Sequence, residues 1–243
     1  MCSTTMPQEL ADGYNRFVSD RVDEQQKLYQ QLAEGQSPHT LVISCADSRV
    51  DPATIFGAGP GELFVIRNVA NIVPPPSAYG DDPKAPLAGT AAALEFAVDH
   101  LRVSRIVVMG HAKCGGVAAA LGQAQKEKAE RDTGPGQAAG EDQSSPSYIS
   151  RWVGLMAEDG TETVMNNPAM DQDGLQQCLE HQNVRSSLER IQGFPFIRKA
   201  MDERGLTLHG AWFSIAAAEL FWMQDNGGFS SGEDRGRSEG SCP

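Results

Sequence analysis

The sequence predicts an α/β fold in which a mostly parallel β-sheet is flanked by helices. The first observation is a set of short, apolar and β-branched segments at 40–44, 62–67, 105–109 and 206–215, each typical of a strand. The second is that helical patterns separate these segments, which favours parallel pairing through crossover connections. The third is that thiol, imidazole and charged side chains follow two of the strands directly, where open α/β sheets bind their ligands.

The residues before the first strand predict an arm followed by a helix. Residues 1–13 are expected to form an N-terminal arm, and the apolar residues between 14 and 34 fall on one helical face. Gly35 is a natural stop for this helix. After the first strand, Asp51-Pro52 predicts the start of a short helical turn, because proline is tolerated at the first helical position.

The middle of the chain alternates between irregular and helical segments. Residues 73–86 contain five prolines, which predicts an irregular loop. An alanine-rich stretch at 89–101 predicts a helix, and a second helix is expected to follow the third strand at 114–121. The polar residues 123–147, rich in Gly, Pro, Gln and Ser, are expected to form an exposed insert or a helix end.

The C-terminal part is predicted to be helical up to the last strand, and the Gly- and Ser-rich residues 225–243 are expected to form a disordered tail. We therefore assign a single α/β domain to residues 14–224. The helices predicted in this part lie at 150–157, 174–191, 195–203 and, after the last strand, 216–223.

Composition narrows the classes of partner. A net charge of -12 over 243 residues argues against nucleic acid or an anionic membrane as the main partner, and no apolar run is long enough to span a bilayer. The N-terminus lacks the basic-then-apolar pattern of a signal peptide. Five widely spaced cysteines do not suggest a disulfide framework, so we expect a cytoplasmic protein with reduced thiols.

Chemically active side chains follow the first strand at alternate positions. Cys45, Asp47 and Arg49 would point to one face in an extended segment, so a thiol, a carboxylate and a guanidinium are delivered together. The third strand is followed by His111 and Cys114, and the three-residue spacing at a strand-to-helix turn lets both reach one ion. Two thiols and one imidazole form a zinc ligand set with one tetrahedral position left over, as in catalytic zinc sites.

Other residues of the same types have simpler explanations. A buried cysteine such as Cys178 usually behaves as a small hydrophobic residue. The remaining histidines are expected to be structural or solvated, and these are His39, His100, His181 and His209.

Three segments resemble the signature segments of the β-class carbonic anhydrases: Cys-Ala-Asp-Ser-Arg-Val at 45–50, Arg-Asn-Val-Ala-Asn at 67–71 and His-Ala-Lys-Cys-Gly-Gly-Val at 111–117. The similarity extends over roughly residues 14–223 outside the polar insert. The resemblance implies four parallel strands with an antiparallel edge strand, one Zn²⁺ per chain and a homodimer or a dimer of dimers. It implies a zinc lyase that interconverts carbon dioxide and bicarbonate.

By this resemblance Cys45, His111 and Cys114 are the zinc ligands, and Asp47 and Arg49 are the catalytic pair. The chemistry of the residue types agrees, because an ionised Asp can only accept hydrogen bonds and would orient the zinc-bound hydroxide toward carbon dioxide. Arginine can hold that carboxylate with two hydrogen bonds and so keep it ionised and off the metal.

The resemblance also implies a substrate pocket. Gln36 matches a glutamine that orients substrate in one subclass of the family, and Phe64, Val69 and Phe96 match apolar wall positions suited to a nonpolar gas. Plain core packing is an equally simple explanation for the two Phe residues. Gly115 begins a helix whose N–H groups favour a thiolate at Cys114 and an anionic product.

Two alternatives remain open from the sequence. A hydrolase of carbon disulfide or carbonyl sulfide could use the same scaffold, and the motifs do not separate it from a carbonic anhydrase. A zinc-containing binding protein without turnover is a second alternative, although a structural zinc has no need of the Asp47–Arg49 pair. Within the family, one subclass has Trp three residues before the first zinc cysteine and is inhibited by bicarbonate; this chain has Val42 there, which predicts the subclass without that inhibition.

Overall fold

The computed structural model describes residues 5–79, 88–133 and 147–231, and within them the sheet is mixed with a parallel majority. The strand order is β2-β1-β3-β4-β5-β6, with parallel pairing from β2 to β4 and antiparallel pairing from β4 to β6. The strands are β1 (Thr40–Cys45), β2 (Leu63–Asn68), β3 (Arg105–His111), β4 (Thr207–Ser214), β5 (Glu219–Met223) and β6 (Phe229–Ser231).

Nine α-helices in the described residues surround or precede this sheet. They are α1 (Gln8–Phe17), α2 (Asp23–Glu34), α3 (Pro52–Phe56), α4 (Ala88–Glu95), α5 (Gly115–Thr133), α6 (Tyr148–Val153), α7 (Ala157–Asn166), α8 (Gln172–Gln192) and α9 (Pro195–Arg204). A π-helical turn joins α1 to α2, and a second one extends α4. No helix in the described part of the chain combines the length and the apolarity that crossing a bilayer requires.

The central strands alternate their side chains between two apolar layers. Leu41 and Ile43 of β1 pack in the layer formed with α4, α8 and α9, whereas Val42 between them faces the opposite side. This two-residue period is what a pleated strand imposes. The layer around Val42 is covered by half-buried side chains such as Phe56 and Trp222, so that face of the sheet is the less enclosed one.

The predicted fold class is confirmed, but the edge of the sheet differs from the prediction. The segment 216–223 is not helical: residues 219–223 form β5, which pairs antiparallel with β4 so that Trp212 lies opposite Phe221. Alanines 216–218 suggested a helix, but they form the turn into β5, with Ala218 in the left-handed conformation (φ 49°). The expected disordered tail is wrong for residues 229–231, which form β6, and 232–243 lie outside the described residues.

Several helix boundaries also differ from the prediction. The N-terminal helix begins at Gln8, inside the expected arm, and is interrupted by the π-helical turn at 18–22. The helix after β3 continues to Thr133, so the first part of the expected polar insert is regular, and 134–146 lie outside the described residues. The proline-rich loop contains a short 3-10 turn at 76–79, while residues 80–87 lie outside the described part.

Candidate metal centre

The carboxyl end of β1 supplies the first group of predicted site residues. Cys45 is the last residue of the strand and is 4% exposed. Asp47 and Arg49 follow in a turn closed by a hydrogen bond from the Val50 N–H to the Asp47 carbonyl oxygen (3.2 Å). The expectation of an extended segment is therefore wrong after Cys45, and this turn brings the three side chains together.

The carboxyl end of β3 supplies the second group. β1 and β3 are adjacent and parallel, with Ser44 opposite Met109, so their carboxyl ends lie side by side. β3 extends to His111, because this residue still pairs with Phe213 of β4. Lys113 then takes a left-handed conformation (φ 55°), and Cys114 lies immediately before α5.

The three predicted ligands converge on one point. The ligand atoms of Cys45, His111 and Cys114 lie within 4.8 Å of one another, and all three residues are buried. Zinc–sulfur bonds of about 2.3 Å at a tetrahedral angle require two sulfurs roughly 3.8 Å apart. The Cys45 and Cys114 sulfurs are 3.9 Å apart and both thiols are free, so the donor set and its spacing fit a zinc ion.

The imidazole of His111 is oriented as a metal ligand. Its Nδ1 lies 2.9 Å from the carbonyl oxygen of Ala112, which can only accept, so Nδ1 carries the hydrogen. The lone pair is then on Nε2, which is buried without a hydrogen-bond partner among the described residues. A buried polar atom without a partner is destabilising, and a metal ion bound between the two thiols would remove that penalty.

The two thiols strongly influence each other's ionisation. A hydrogen bond from the Cys114 thiol lowers the pKa of Cys45, and the same contact together with burial raises the pKa of Cys114. One proton is therefore lost easily and the second with difficulty, because two buried thiolates this close repel each other. A divalent cation relieves that repulsion, so metal binding should release protons and weaken as pH falls.

Backbone N–H groups stabilise each thiolate. The Ala70 N–H donates to the Cys45 sulfur at 3.3 Å, and the N–H groups of Gly116 and Val117 in the first turn of α5 lower the pKa of Cys114. The loop after β2 and the start of α5 must approach closely for this arrangement. A Cβ atom at Gly116 would lie 2.7 Å from a methyl carbon of Val69, so only glycine fits there.

Asp47 and Arg49 form a tight pair beside the cluster. The Arg49 Nε and Nη2 atoms donate to the two Asp47 carboxylate oxygens at 2.9 and 2.6 Å, and the Arg49 backbone N–H donates to Oδ1 at 2.9 Å. These bonds, mainly those from the Arg49 side chain, hold the pKa of Asp47 below its usual value. Asp47 therefore stays ionised at neutral pH, with Oδ2 4.0 Å from the His111 Nε2 atom.

Arg67 is a site residue to which sequence reasoning gave no role. Its Nε donates to the carbonyl oxygen of Cys45 at 3.0 Å, and its Nη2 donates to the carbonyl oxygen of Asp47 at 2.6 Å. It also lies 3.5 Å from the carboxylate of Asp51, the residue that caps α3. The Arg67 guanidinium thus fixes the backbone on both sides of Ala46. The Arg-Asn-Val-Ala-Asn motif at 67–71 was the sequence signal that could have revealed this role.

Four polar residues of α8 were also missed. Gln176, Glu180, Asn183 and Ser187 lie on one face of the helix, and each forms a hydrogen bond with the backbone of a loop near the cluster. Their spacing of four, three and four residues is a helical period, so a polar stripe on a helix with many buried residues was the signal that could have revealed them.

The residues predicted to bind substrate do not all lie at one place in the structure. Phe64 and Phe96 are in contact, with ring centroids 5.8 Å apart, and Phe96 begins the π-helical turn after α4. Val69 is 38% exposed beside the cluster, and its carbonyl oxygen accepts a hydrogen bond from the Trp152 indole at 2.8 Å. Gly115 begins α5.

Gln36 lies in the exposed segment between α2 and β1, so its role in substrate binding stays a prediction.

Among the residues expected to have no role in the site, His181 is buried between Trp212 and Phe229, in agreement with a structural role. Cys178 is buried beside Met170 and is disulfide-bonded, so the expectation of reduced thiols is wrong there.

The family model described as "Carbonic anhydrase" matches residues 40–220, which include every residue of the cluster and of the Asp47–Arg49 pair. The chain belongs to the carbonic anhydrase family, within its β class. The zinc cofactor inferred from the sequence agrees with this family and with the geometry of the cluster.

Individual relatives agree with the family assignment. The chain is 39% identical over 189 residues to β carbonic anhydrase 5, chloroplastic, of Arabidopsis thaliana. The aligned region covers 77% of this chain and 54% of that protein. The chain therefore spans about half the length of this curated relative. It superimposes on the β-carbonic anhydrase CcaA with a TM-score of 0.77 at 27% identity, over 94% of this chain and 93% of the other.

A third relative comes from the fungus Sordaria macrospora, one of two tetrameric β-carbonic anhydrases from that organism. The TM-score is 0.68 at 29% identity, covering 88% of this chain and 95% of the other.

Proposed function

We propose that this β-carbonic anhydrase family member is an active zinc enzyme that reversibly hydrates carbon dioxide to bicarbonate and a proton. The observation that carries the proposal is the convergence of two cysteine thiols and one histidine nitrogen within 4.8 Å, beside an aspartate held by arginine. Three protein ligands leave one tetrahedral position open, which distinguishes a catalytic zinc site from a structural one.

Cys45, His111 and Cys114 would hold one zinc ion per chain. Zinc supplies a Lewis acid at this position, which acidifies bound water and makes a nucleophile available near neutral pH. The three residues would fix the ion at the carboxyl ends of β1 and β3, where the solvent-accessible side is the one that Asp47 occupies.

Asp47 orients the attacking water. An ionised carboxylate accepts hydrogen bonds only, so Asp47 Oδ2 would accept a hydrogen bond from the nucleophile and direct an oxygen lone pair of the nucleophile toward the substrate. Arg49 satisfies both carboxylate oxygens and keeps Asp47 ionised. Since Arg49 also donates to the Lys113 carbonyl oxygen at 3.2 Å, it ties this pair to the loop that carries His111 and Cys114.

Apolar side chains suit a nonpolar gas as substrate. Val69 lies in the loop after β2, next to Ala70, whose N–H donates to the Cys45 sulfur, and Phe64 and Phe96 contact each other where β2 meets the end of α4. We propose that they form the wall against which carbon dioxide is held, and that Gln36 donates a hydrogen bond to a substrate oxygen. Carbon disulfide or carbonyl sulfide would fit the same wall, and a substrate panel separates these reactions.

The decisive experiment is a carbon dioxide hydration assay on the purified chain with metal analysis. We expect one zinc per chain and zinc-dependent turnover, and we expect Cys45→Ser to lose most of the zinc and all turnover. Cys178→Ser removes a cysteine outside the cluster and should keep the zinc content per folded chain. Full zinc occupancy in Cys45→Ser would refute the ligand assignment, and zinc without turnover on any of the three substrates would favour a binding protein.

We also propose that the chain works as a homodimer or a larger assembly of dimers. Helix α1 exposes the apolar side chains of Leu10, Tyr14 and Phe17, and α1 and α2 make few contacts with the rest of the described residues. At the edge of the sheet, β2 exposes Val65, close to the exposed Val69 that follows it. A second copy of the chain would cover both sets of apolar residues.

Light scattering on the whole chain tests this assembly. The triple substitution Leu10→Ser, Tyr14→Ser and Phe17→Ser should reduce the mass toward that of a monomer. Substitution of Glu9 and Asn15, exposed polar residues of the same helix, by Ser should leave the mass unchanged. A wild-type monomer at working concentration would contradict the proposal.

A cytoplasmic location stays a prediction, and imaging of the tagged whole chain would test it.

A further inference from the structure

A buried carboxylate lies directly behind the Cys114 ligand. Glu180 is 3% exposed, and its Oε1 atom accepts a hydrogen bond from the Cys114 N–H at 3.0 Å and from the Gln176 side chain at 3.0 Å. Its Oε2 atom accepts from the Trp212 indole N–H at 3.2 Å. Three N–H donors therefore converge on one carboxylate in the interior.

The Cys114 backbone is held on both sides. Its N–H precedes helix α5 and has no partner within that helix, so Glu180 satisfies a donor that would otherwise be buried and unpaired. Its carbonyl oxygen accepts from the Ala118 N–H at 2.9 Å and from Gln176 at 3.3 Å. With both neighbouring peptide groups fixed, a single side-chain torsion sets the direction of the Cys114 sulfur.

The loop needs this support because its conformation is unfavourable. Lys113 is left-handed at φ 55°, a conformation that is energetically unfavourable for a residue with a Cβ atom. Such a conformation persists where surrounding contacts hold it. Here the contacts are the Arg49 bond to the Lys113 carbonyl oxygen and the Glu180 bond to the next N–H along the chain.

The same face of α8 also reaches the loop behind the other cysteine. The Asn183 side chain donates to the Ala70 carbonyl oxygen at 2.7 Å, and the Ala70 N–H donates to the Cys45 sulfur. Ala70 and Asn71 are left-handed as well, and Ser187 donates to the Asn71 carbonyl oxygen at 3.4 Å. One rigid helix thus contacts both loops that define the separation of the two sulfurs.

We propose that the polar stripe of α8, formed by Gln176, Glu180, Asn183 and Ser187, positions the two cysteine ligands and thereby sets the zinc affinity of the site. Glu180 is its principal positioning residue, since it contacts the backbone of a ligand directly. The proposal rests on the zinc function proposed above and extends it to residues that touch neither metal nor substrate. Residues that orient metal ligands typically change metal affinity by about 10- to 100-fold when substituted.

The geometry predicts what Glu180→Gln would do. The carboxylate accepts at both oxygens, but an amide accepts at only one, so the NH₂ group of Gln must face either the Trp212 N–H or the Cys114 N–H. Two donors then point at each other. In a Glu180→Gln background, Trp212→Phe removes the opposing donor, so the double variant should bind zinc more tightly than Glu180→Gln alone.

Zinc affinity by chelator competition and the spectrum of the cobalt-substituted protein are the readouts. We expect Glu180→Gln to weaken zinc binding by about 10- to 100-fold and to shift the thiolate-to-cobalt charge-transfer band, with Asn183→Leu having a smaller effect of the same kind. Glu189→Gln, on the exposed face of the same helix, is the matched control and should change neither.

The rescue separates positioning from general stability. Trp212→Phe shortens a buried side chain, so it should lower the melting temperature of the double variant while the zinc affinity recovers. If Glu180 had a merely structural role, the melting temperature and the zinc affinity would change in the same direction. If Glu180→Gln does not fold, Gln176→Ala at a half-buried position carries the same test with a smaller expected loss. Affinity and spectra equal to wild type in folded variants would overturn the inference while the zinc function stands; a wild type that binds no zinc would overturn both.

Discussion

The two strand ends of the metal centre each provide a cysteine, but they differ in exposure and in what holds them. At the β1 end, Cys45 is followed by a partly exposed pair, with 48% of the Arg49 side chain and 18% of the Asp47 side chain accessible. At the β3 end, Cys114 is held by Glu180, which is 3% exposed. We infer that the Asp47–Arg49 pair after β1 carries the chemistry, whereas Glu180 behind Cys114 contributes to the metal affinity.

The residues that support Cys45 are nearer to it in the sequence than those that support Cys114 are to Cys114. Cys45 is contacted by Arg67 and Ala70, which are 22 and 25 residues away. Cys114 is contacted by Gln176 and Glu180, which are 62 and 66 residues away. Variants of Asp47 or Arg49 should affect turnover and variants of Glu180 should affect zinc binding.

The largest effect of this kind is expected at the Asp47–Arg49 pair. Asp47→Asn or Arg49→Ala should lower kcat by about 10²-fold, the usual cost of a misplaced reacting group, while zinc stays bound. Because the two residues act as a unit, the double variant should lose little more than either single one. Stopped-flow hydration rates with metal analysis measure both quantities.

Asp173→Asn is the matched control for the pair. Asp173 forms an exposed ion pair with Lys113 at 2.6 Å, and exposed pairs contribute little. Its activity should stay near that of wild type. Independent, additive losses at Asp47 and Arg49 would contradict the shared role of the pair, and loss of zinc in either variant would contradict the separation of turnover from zinc binding.

A smaller effect is expected at Arg67. Lysine cannot reproduce the two hydrogen bonds to the Cys45 and Asp47 carbonyl oxygens, so Arg67→Lys should lower kcat/KM by about tenfold, equivalent to one hydrogen bond of about 1.4 kcal/mol. Arg204→Lys is the control, because Arg204 also binds two backbone carbonyl oxygens, those of Val98 and Val103, away from the site.

Both arginine variants should lose thermal stability, but only Arg67→Lys should lose activity. Equal activity in the two variants would show that Arg67 stabilises the fold without positioning the Asp47 loop.

The smallest effect expected concerns inhibition by bicarbonate. Val42 is fully buried in the sheet and has neither an indole N–H nor an aromatic ring for a second bicarbonate site. A ligand shifts a conformational equilibrium only through different affinities for its states. We therefore expect bicarbonate to act as an ordinary product, with hyperbolic inhibition at neutral pH.

Initial rates over a bicarbonate series test this, and a crystal structure at the same pH should show Asp47 paired with Arg49. Sigmoidal inhibition with Asp47 bound to the metal would place the chain in the other subclass and leave the enzyme assignment intact.

The sequence by itself predicted the fold class and the candidate site residues. Short apolar strands alternating with helices gave the parallel sheet, and Cys45, Asp47, Arg49, His111 and Cys114 were readable because their residue types are few and their spacings are local. Short-range patterns carry such information, since a strand end or a helix start depends mainly on its near neighbours.

Only the tertiary structure decided what holds these residues in place. The left-handed turn at Lys113, the contact of Glu180 with the Cys114 N–H and the strand pairing of β5 all involve partners far apart in the sequence or conformations that most residue types avoid. Residues such as Glu180 and Gln176 look in the sequence like solvated polar positions of a helix. Their role follows from burial against a loop more than 60 residues away, because packing, and not local preference, fixes that contact.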